Sequence, residues 1–361
     1  MQSLPSHSPA PHDFAEAAVL EAPTPETPIL KAPWLDFLWL ELTHKCNLEC
    51  VHCYTDSSPT RALHGGLMEA DWRRTIDQAA GLGCRKLQFI GGEPTLHPAL
   101  PDLIRFARDS GFDWIEVYTN GLAFSPRLRA AFVDHRVALA FSIYAATSLP
   151  HDAVTRRAGS HTRTIANLRW ALAAGLDVRT GIIATGLNPE VTATRRFLQQ
   201  LGVRSINIDS TRAMGRGGAA AEVSTAANST AALCGRCWEG KLCITADGQA
   251  MPCTFARQFT VGHITAGLDS VLRGAPLQQF RHRLRAERGA RGSGGHAFSP
   301  MAECGPVTPN CVPLGDPCSP EEFHPCLPMG GRPCVPQEGP CTPEVPPCGP
   351  EGGCNPNAPP Y

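Results

Sequence analysis

From Leu35 to Asp209 short apolar runs alternate with stretches of helical patterning, and few architectures accept that pattern. The run Leu35 to Leu42 precedes the helical stretch Glu69 to Leu82, Lys86 to Ile90 precedes Pro98 to Ser110, and Trp114 to Tyr118 precedes Pro126 to Asp134. Val137 to Tyr144 then leads to a helix around Thr164 to Ala174, Val178 to Ala184 to Pro189 through Leu201, and Ser205 to Asp209 closes the series. Runs that are apolar throughout suit strands covered on both faces, and such strands lie in parallel sheets with crossover helices. The expected fold class is therefore α/β, a partial (β/α)6 TIM-like barrel. Functional residues are expected at the C-terminal ends of its strands.

One loop and one turn fall at such ends. Cys46, Cys50 and Cys53, spaced C-x3-C-x2-C in HKCNLECVHCY, follow the first strand. Four thiolates close a [4Fe-4S] cubane, so three within eight residues hold three corners and leave one iron for a small molecule. Gly91-Gly92-Glu93-Pro94 follows the second strand, and its glycines let a ligand approach the backbone.

Together the cysteine triplet and the GGEP turn resemble the radical S-adenosylmethionine (SAM) superfamily, over roughly residues 35 to 265. The resemblance implies SAM chelated to the open iron and cleaved reductively to a 5′-deoxyadenosyl radical. It also implies that Tyr54 leans on the adenine, that Glu93 holds the ammonium, and that Gly91, Gly92, Pro94 and Asn120 of the TNG turn complete the SAM site. By the same analogy Ser142 faces the ribose.

A second cysteine group, Cys234, Cys237, Cys243 and Cys253, has metal-ligand density. The Asp247-Gly248 turn predicts a hairpin that returns Cys253 towards the start of the segment. The passage resembles the auxiliary-cluster region called SPASM, or its shorter relative twitch: C-x13-G-x4-C runs from Cys234 through Gly248 to Cys253. The further C-x2-C-x5-C-x3-C of SPASM does not follow. One auxiliary [4Fe-4S] cluster on Cys234, Cys237, Cys253 and Cys243 is the expectation. Zinc suits four cysteines as well, and Cys243 has an alternative reading as a core residue of the first hairpin strand. Cys84, alone before a strand, reads as a core thiol, and His44 and His52 as solvated loop residues. Arg156, Arg157, Arg212 and Arg216 follow barrel strands, where a carboxylate could meet them.

The organisation expected is a flexible proline-rich arm over 1–33, a radical SAM core over 34–215, the auxiliary region over 231–270, a helical linker over 271–303 and a repetitive tail over 304–361. The arm has seven prolines and little apolar surface to offset ordering entropy. In the tail eight cysteines, from Cys304 to Cys354, each precede a proline by two positions, and no helical or strand period is present. Both termini are expected to be disordered. Cys304, Cys311 and Cys318 remain candidates to complete an auxiliary cluster.

A formal net charge of −1, without a basic run, gives no electrostatic footprint for nucleic acid or anionic lipid. No segment approaches the ~20 apolar residues of a membrane helix, and no export signal opens the chain, so a cytoplasmic enzyme is expected. The family implies an oxidoreductase-type radical enzyme, a reductant such as flavodoxin or ferredoxin, and a substrate that is a ribosomally made peptide or else a small molecule. The arm is too short to fold into a leader-recognition domain, which leaves that task to a partner. A non-catalytic metal-binding protein is the reading from another class; it needs neither an open iron nor a SAM shelf.

Overall fold

In the computed structural model, residues 34–219, 230, 233 and 240–291 are described. The N-terminal arm, Cys234, Cys237 and the C-x-P tail lie outside them.

All six expected strands are present: β1 (Phe37–Glu41), β2 (Lys86–Ile90), β3 (Trp114–Thr119), β4 (Ala138–Ser142), β5 (Val178–Ala184) and β6 (Ser205–Ser210). They pair in parallel in chain order. Between them run α1 (Glu69–Gly81), α2 (Leu100–Asp109), α3 (Pro126–Asp134), α4 (Ser148–Thr155), α5 (Ser160–Ala173) and α6 (Val191–Gln200). The start of α3 shows why boundaries came out well: Pro126 occupies its first turn, and the Ser125 hydroxyl accepts from Leu128 N at 3.2 Å. The short helix α4 was not expected.

Side-chain alternation along the strands divides the sheet into two faces. Leu38, Leu40, Leu87, Phe89, Val117, Leu139 and Phe141 point outward and pack with Trp72, Ile76, Leu103 and Ile104 of α1 and α2 in the main core. Their neighbours Trp39, Gln88, Tyr118, Ser142 and Arg179 point inward and line the barrel cavity.

After a short α7 (Gly215–Ala219) the chain returns as β7 (Lys241–Ile244), β8 (Gln249–Met251) and β9 (Gly262–His263), followed by α8 (Leu268–Arg273) and α9 (Ala275–Arg291). The expected hairpin is β7–β8, antiparallel through Cys243↔Met251. It is not a separate layer. β7 adds in parallel to the free side of β1, with Trp39 opposite Cys243, so one sheet runs β6-β5-β4-β3-β2-β1-β7-β8-β9. The segment read as a linker from residue 271 is helical as far as it is described. No helix among the described residues is long and apolar enough to cross a membrane.

Candidate functional site

The cysteine loop lies across the C-terminal mouth of the barrel and is tied there by backbone bonds. Cys46 N donates to Ser58 O at 3.1 Å, Val51 N to Val154 O at 3.0 Å, and Glu49 N to Thr155 O at 3.2 Å. The β2 end reaches it from below: Gly92 N donates to Thr43 O at 2.7 Å and Glu93 N to Lys45 O at 2.9 Å. This contact explains both glycines. A Cβ on Gly91, where φ is +152°, would stand 2.7 Å from Thr43 O, and one on Gly92 would stand 2.3 Å from Lys45 O. The close approach is made by the protein's own cysteine loop, while both glycines also line the cavity beside it.

Glu93 is buried, and its carboxylate is fully engaged on one oxygen. Oε1 accepts from Thr95 N at 3.1 Å and from the hydroxyls of Thr95 and Thr119 at 2.7 Å each; among the described residues Oε2 accepts only Asn120 N, at 2.8 Å. Burial raises its pKa and the four donors oppose the rise. Oε2 keeps a lone pair for one more donor.

Cys46, Cys50 and Cys53 open on the same cavity as Gly91, Gly92, Glu93, Asn120 and Ser142. Their sulfurs draw donors from nearby: Leu48 N to Cys46 Sγ and Ser57 N to Cys53 Sγ, both at 3.4 Å, and Asn120 Nδ2 to Cys46 Sγ at 3.7 Å. Burial, then the neighbouring Cys53, pushes the Cys50 thiol up to about 12; burial, then Glu93, raises that of Cys46. Protein alone therefore keeps these two sulfurs protonated, and a bound cation reverses the balance. Among the described residues no three Cys, His, Asp or Glu side chains converge on one ion-sized point. A cubane asks for no such point, since each thiolate takes its own iron. Sulfur donors spread over one cavity, beside a buried carboxylate with a spare lone pair, fit the cluster and the amino-acid end of SAM.

Tyr54 stands with its ring 5.1 Å from that of Phe255 and under the Arg257 guanidinium at 5.8 Å; Arg257 in turn pairs with Glu41 at 2.6 Å. Ser142 lines the cavity together with Tyr118 and Tyr144. Pro94 begins a single 3-10 turn ending at Leu96, buried below the loop. His52 is half-buried rather than solvated, and burial, then the nearby Arg216 charge, lowers its pKa to about 4. Of the arginines, Arg157 donates to Asn47 O at 2.7 Å, Arg212 pairs with Asp209 at 2.8 Å, and Arg216 grips the cysteine loop. Arg212 and Arg216 are largely covered in these contacts, while Arg157 stays exposed.

Residues missed from sequence include Tyr144, which lines the cavity beside Cys50 with its ring 4.8 Å from that of His52, and Gln88, Glu116 and Arg179 in the lumen. Glu116 takes two bonds from Arg179, at 2.8 and 2.7 Å, and one from Gln88 Nε2. A Gln, a Glu and an Arg on strands that are otherwise apolar were the signal.

Cys243 and Cys253 sit elsewhere, in a dry cluster with Phe37, Trp39, Met251, Phe259 and Phe280. Burial, then Glu41, raises the Cys243 pKa well above its ordinary value. Cys84 is a core thiol, as expected.

Two family models match the chain: the radical SAM superfamily over residues 40–199, and an iron–sulfur cluster-binding domain, SPASM, over residues 234–304. The chain belongs to the radical SAM superfamily. Its cofactors are accordingly a [4Fe-4S] cluster and SAM, with auxiliary iron–sulfur in the SPASM region. That match runs past residue 270, where the sequence reading stopped, and takes in Cys304.

Curated relatives include the GTP 3',8-cyclase of Chlorobaculum tepidum, 36% identical over 27% of this chain and 29% of the relative. The PqqA peptide cyclase of Ruegeria pomeroyi is 30% identical over 51% of this chain and 49% of the relative. The chain thus spans half or less of the length of these relatives. Streptococcus suis SuiB, solved bound to S-adenosylmethionine, superposes with a TM-score of 0.57 at 15% identity, over 69% of this chain and 68% of that one. The same protein has been solved with its precursor peptide SuiA. At that identity the likeness shows the fold.

Proposed function

We propose that this chain is a radical SAM maturase that abstracts hydrogen from a ribosomally made peptide. The observation that supports the chemistry most directly is that the triplet sulfurs, Glu93 and Asn120 open on one cavity at the barrel mouth. In this reading Cys46, Cys50 and Cys53 hold the catalytic cluster, and Cys253 and Cys243, with Cys234 and Cys237, hold auxiliary iron. When bound, cluster and SAM supply a hydrogen-abstracting carbon radical by reductive cleavage of the sulfonium. The protein's own groups do the rest. Glu93 Oε2 receives the SAM ammonium, while Gly91, Gly92, Pro94 and Asn120 shape the shelf around it. Tyr54 backs the adenine and Ser142 receives the ribose. The Glu116–Arg179 pair keeps the lumen floor rigid, and the apolar walls from Trp39, Ile90 and Ile183 exclude water from the radical.

The substrate class rests on the SPASM match together with the PqqA cyclase and SuiB likenesses. A small-molecule substrate is the second reading, favoured by the GTP 3',8-cyclase match and by the charged lumen floor. Either needs an external one-electron donor, such as flavodoxin or ferredoxin.

The test is anaerobic reconstitution of the full chain with iron and sulfide, followed by reduced-state EPR with and without SAM and a 5′-deoxyadenosine assay. The Cys46→Ala/Cys50→Ala/Cys53→Ala variant runs beside it. A SAM-perturbed signal and deoxyadenosine, both lost in the variant, establish the chemistry; neither from a loaded wild type refutes it. Mass spectrometry of short peptides encoded beside this chain then decides the substrate: a mass loss of about 2 Da in a peptide supports maturation, and turnover of nucleosides or sugars only refutes it.

A further inference from the structure

Beyond β6 the segment Gly215-Arg216-Gly217 presses against the cysteine loop so closely that side chains are excluded on either side of the arginine. A Cβ on Gly215, where φ is +52°, would stand 2.3 Å from Cys53 O and 2.8 Å from Tyr54 O. On Gly217 it would stand 2.4 Å from Arg212 O and 3.2 Å from His52 O. Between them Arg216 spends each guanidinium nitrogen on a different part of the loop. Nε donates to Cys50 O at 2.8 Å, Nη1 to Asp56 Oδ1 at 2.8 Å and Nη2 to Ser57 O at 2.7 Å, while its backbone N donates to Cys53 O at 2.9 Å. The side chain is only 17% exposed.

Two of those acceptors are the carbonyls of triplet cysteines. Holding a loop residue in one conformation costs roughly 1–2 kcal/mol of backbone entropy, and a loop that must aim three sulfurs needs that freedom removed before the ligand arrives. Arg157 makes one such contact, to Asn47 O; Arg216 makes four, from a segment about 160 residues away in sequence. A planar guanidinium reaches three separate acceptors at fixed angles, whereas an ammonium offers all its donors from one atom.

We propose that Arg216 is a positioning residue for the cluster: it locks the cysteine loop in its ligating shape and fixes a positive charge beside Cys50. The inference rests on the triplet holding a cluster, as set out above. Charge next to a cluster favours its reduced, more negative state. Arg216 therefore acts on two separable properties, retention through its geometry and reducibility through its charge.

The experiment compares wild type, Arg216→Ala and Arg216→Lys as full-length, anaerobically reconstituted chains. Melting by circular dichroism reports folding. EDTA-driven iron loss reports retention, and the EPR-detected reduced fraction at one fixed solution potential reports reducibility. Arg216→Ala is expected to lose iron from the triplet site at least tenfold faster, and its reduced fraction to fall at least threefold. Arg216→Lys restores the reduced fraction to within twofold of wild type yet still loses iron at least threefold faster. Wild-type loss rates in both variants overturn the proposal, as does an unchanged reduced fraction in Arg216→Ala. If Arg216→Ala fails to fold, a wild-type loss rate in Arg216→Lys alone overturns it. A wild type that binds no cluster instead refutes the parent reading, so the two failures are distinct.

Discussion

Two groups of cysteines lie close to neighbouring strands of one sheet, the triplet in the loop after β1 and Cys243 and Cys253 on and after the β7–β8 hairpin, and they are held in different ways. The triplet is fixed largely by polar contacts, with donors from Arg157, Arg216 and Asn120 and backbone bonds to the end of β2, beside a small apolar cluster with Leu48 and Leu122. Cys243 and Cys253 are fixed by packing, among Trp39, Phe259 and Phe280. The difference matches the tasks proposed for them. A site that must admit SAM has to stay open, so its shape rests on hydrogen bonds at its rim; a site that only stores charge can be sealed in hydrocarbon. Polar rims lose function before fold, and dry clusters lose fold first.

The contrast can be broken by mutation. Phe280→Ala empties part of the dry cluster, where the ring is 2% exposed and 4.9 Å from Phe259. Denaturant unfolding should show a loss of about 3–5 kcal/mol, with SAM binding by the remaining folded protein unchanged. Glu93→Gln strikes the rim. An amide NH2 would face the Asn120 N–H or the three donors on Oε1, so stability should fall by about 1–3 kcal/mol, and calorimetry on the reconstituted protein should show SAM binding weakened at least tenfold. Equal stability losses in these two variants would abolish the distinction.

Smaller effects sharpen it. Burial, aided by His161 and opposed by Asp152, lowers the His151 pKa from 6.5 to about 4, and its Nδ1 accepts from Tyr144 N at 3.3 Å. The unfolded chain takes up that proton first as pH falls. Its contribution is thus complete above pH 6.5 and is lost between 6.5 and 4. A pH series of urea midpoints should decline through that window, and His151→Asn, which keeps an acceptor but cannot titrate, should flatten its share. Arg157→Ala removes one rim contact and should cost about 0.5–1.5 kcal/mol, with faster EDTA-driven iron loss than wild type but slower than Arg216→Ala.

Much of the fold was legible because its signals are local. β2 and β5 begin and end where the apolar runs do, and α3 where serine and proline mark its start. The triplet and GGEP turn were visible because their spacing is set within one loop each. Pairing of β7 with β1 was not, since nothing near Lys241 names a partner two hundred residues back. Arg216 was one of four arginines that looked alike; only the fold shows which reaches the loop. The glycines of GGEP were recognised as functional, but their steric reason, the Thr43–Lys45 backbone, became clear only with two strand ends side by side.

The place of β7 has a consequence during synthesis. β1 ends at Glu41, and its second neighbour is not complete until Ile244 has been made. At roughly 5–20 residues per second the ribosome takes about 10–40 s over the intervening stretch. Through that interval the apolar strand FLWLE presents a bare row of amides and carbonyls, the kind of edge that recruits other chains. A nascent chain of this protein should therefore be most prone to aggregation when its barrel is nearly built, and a ribosome-associated holdase should matter most just before residue 241 emerges.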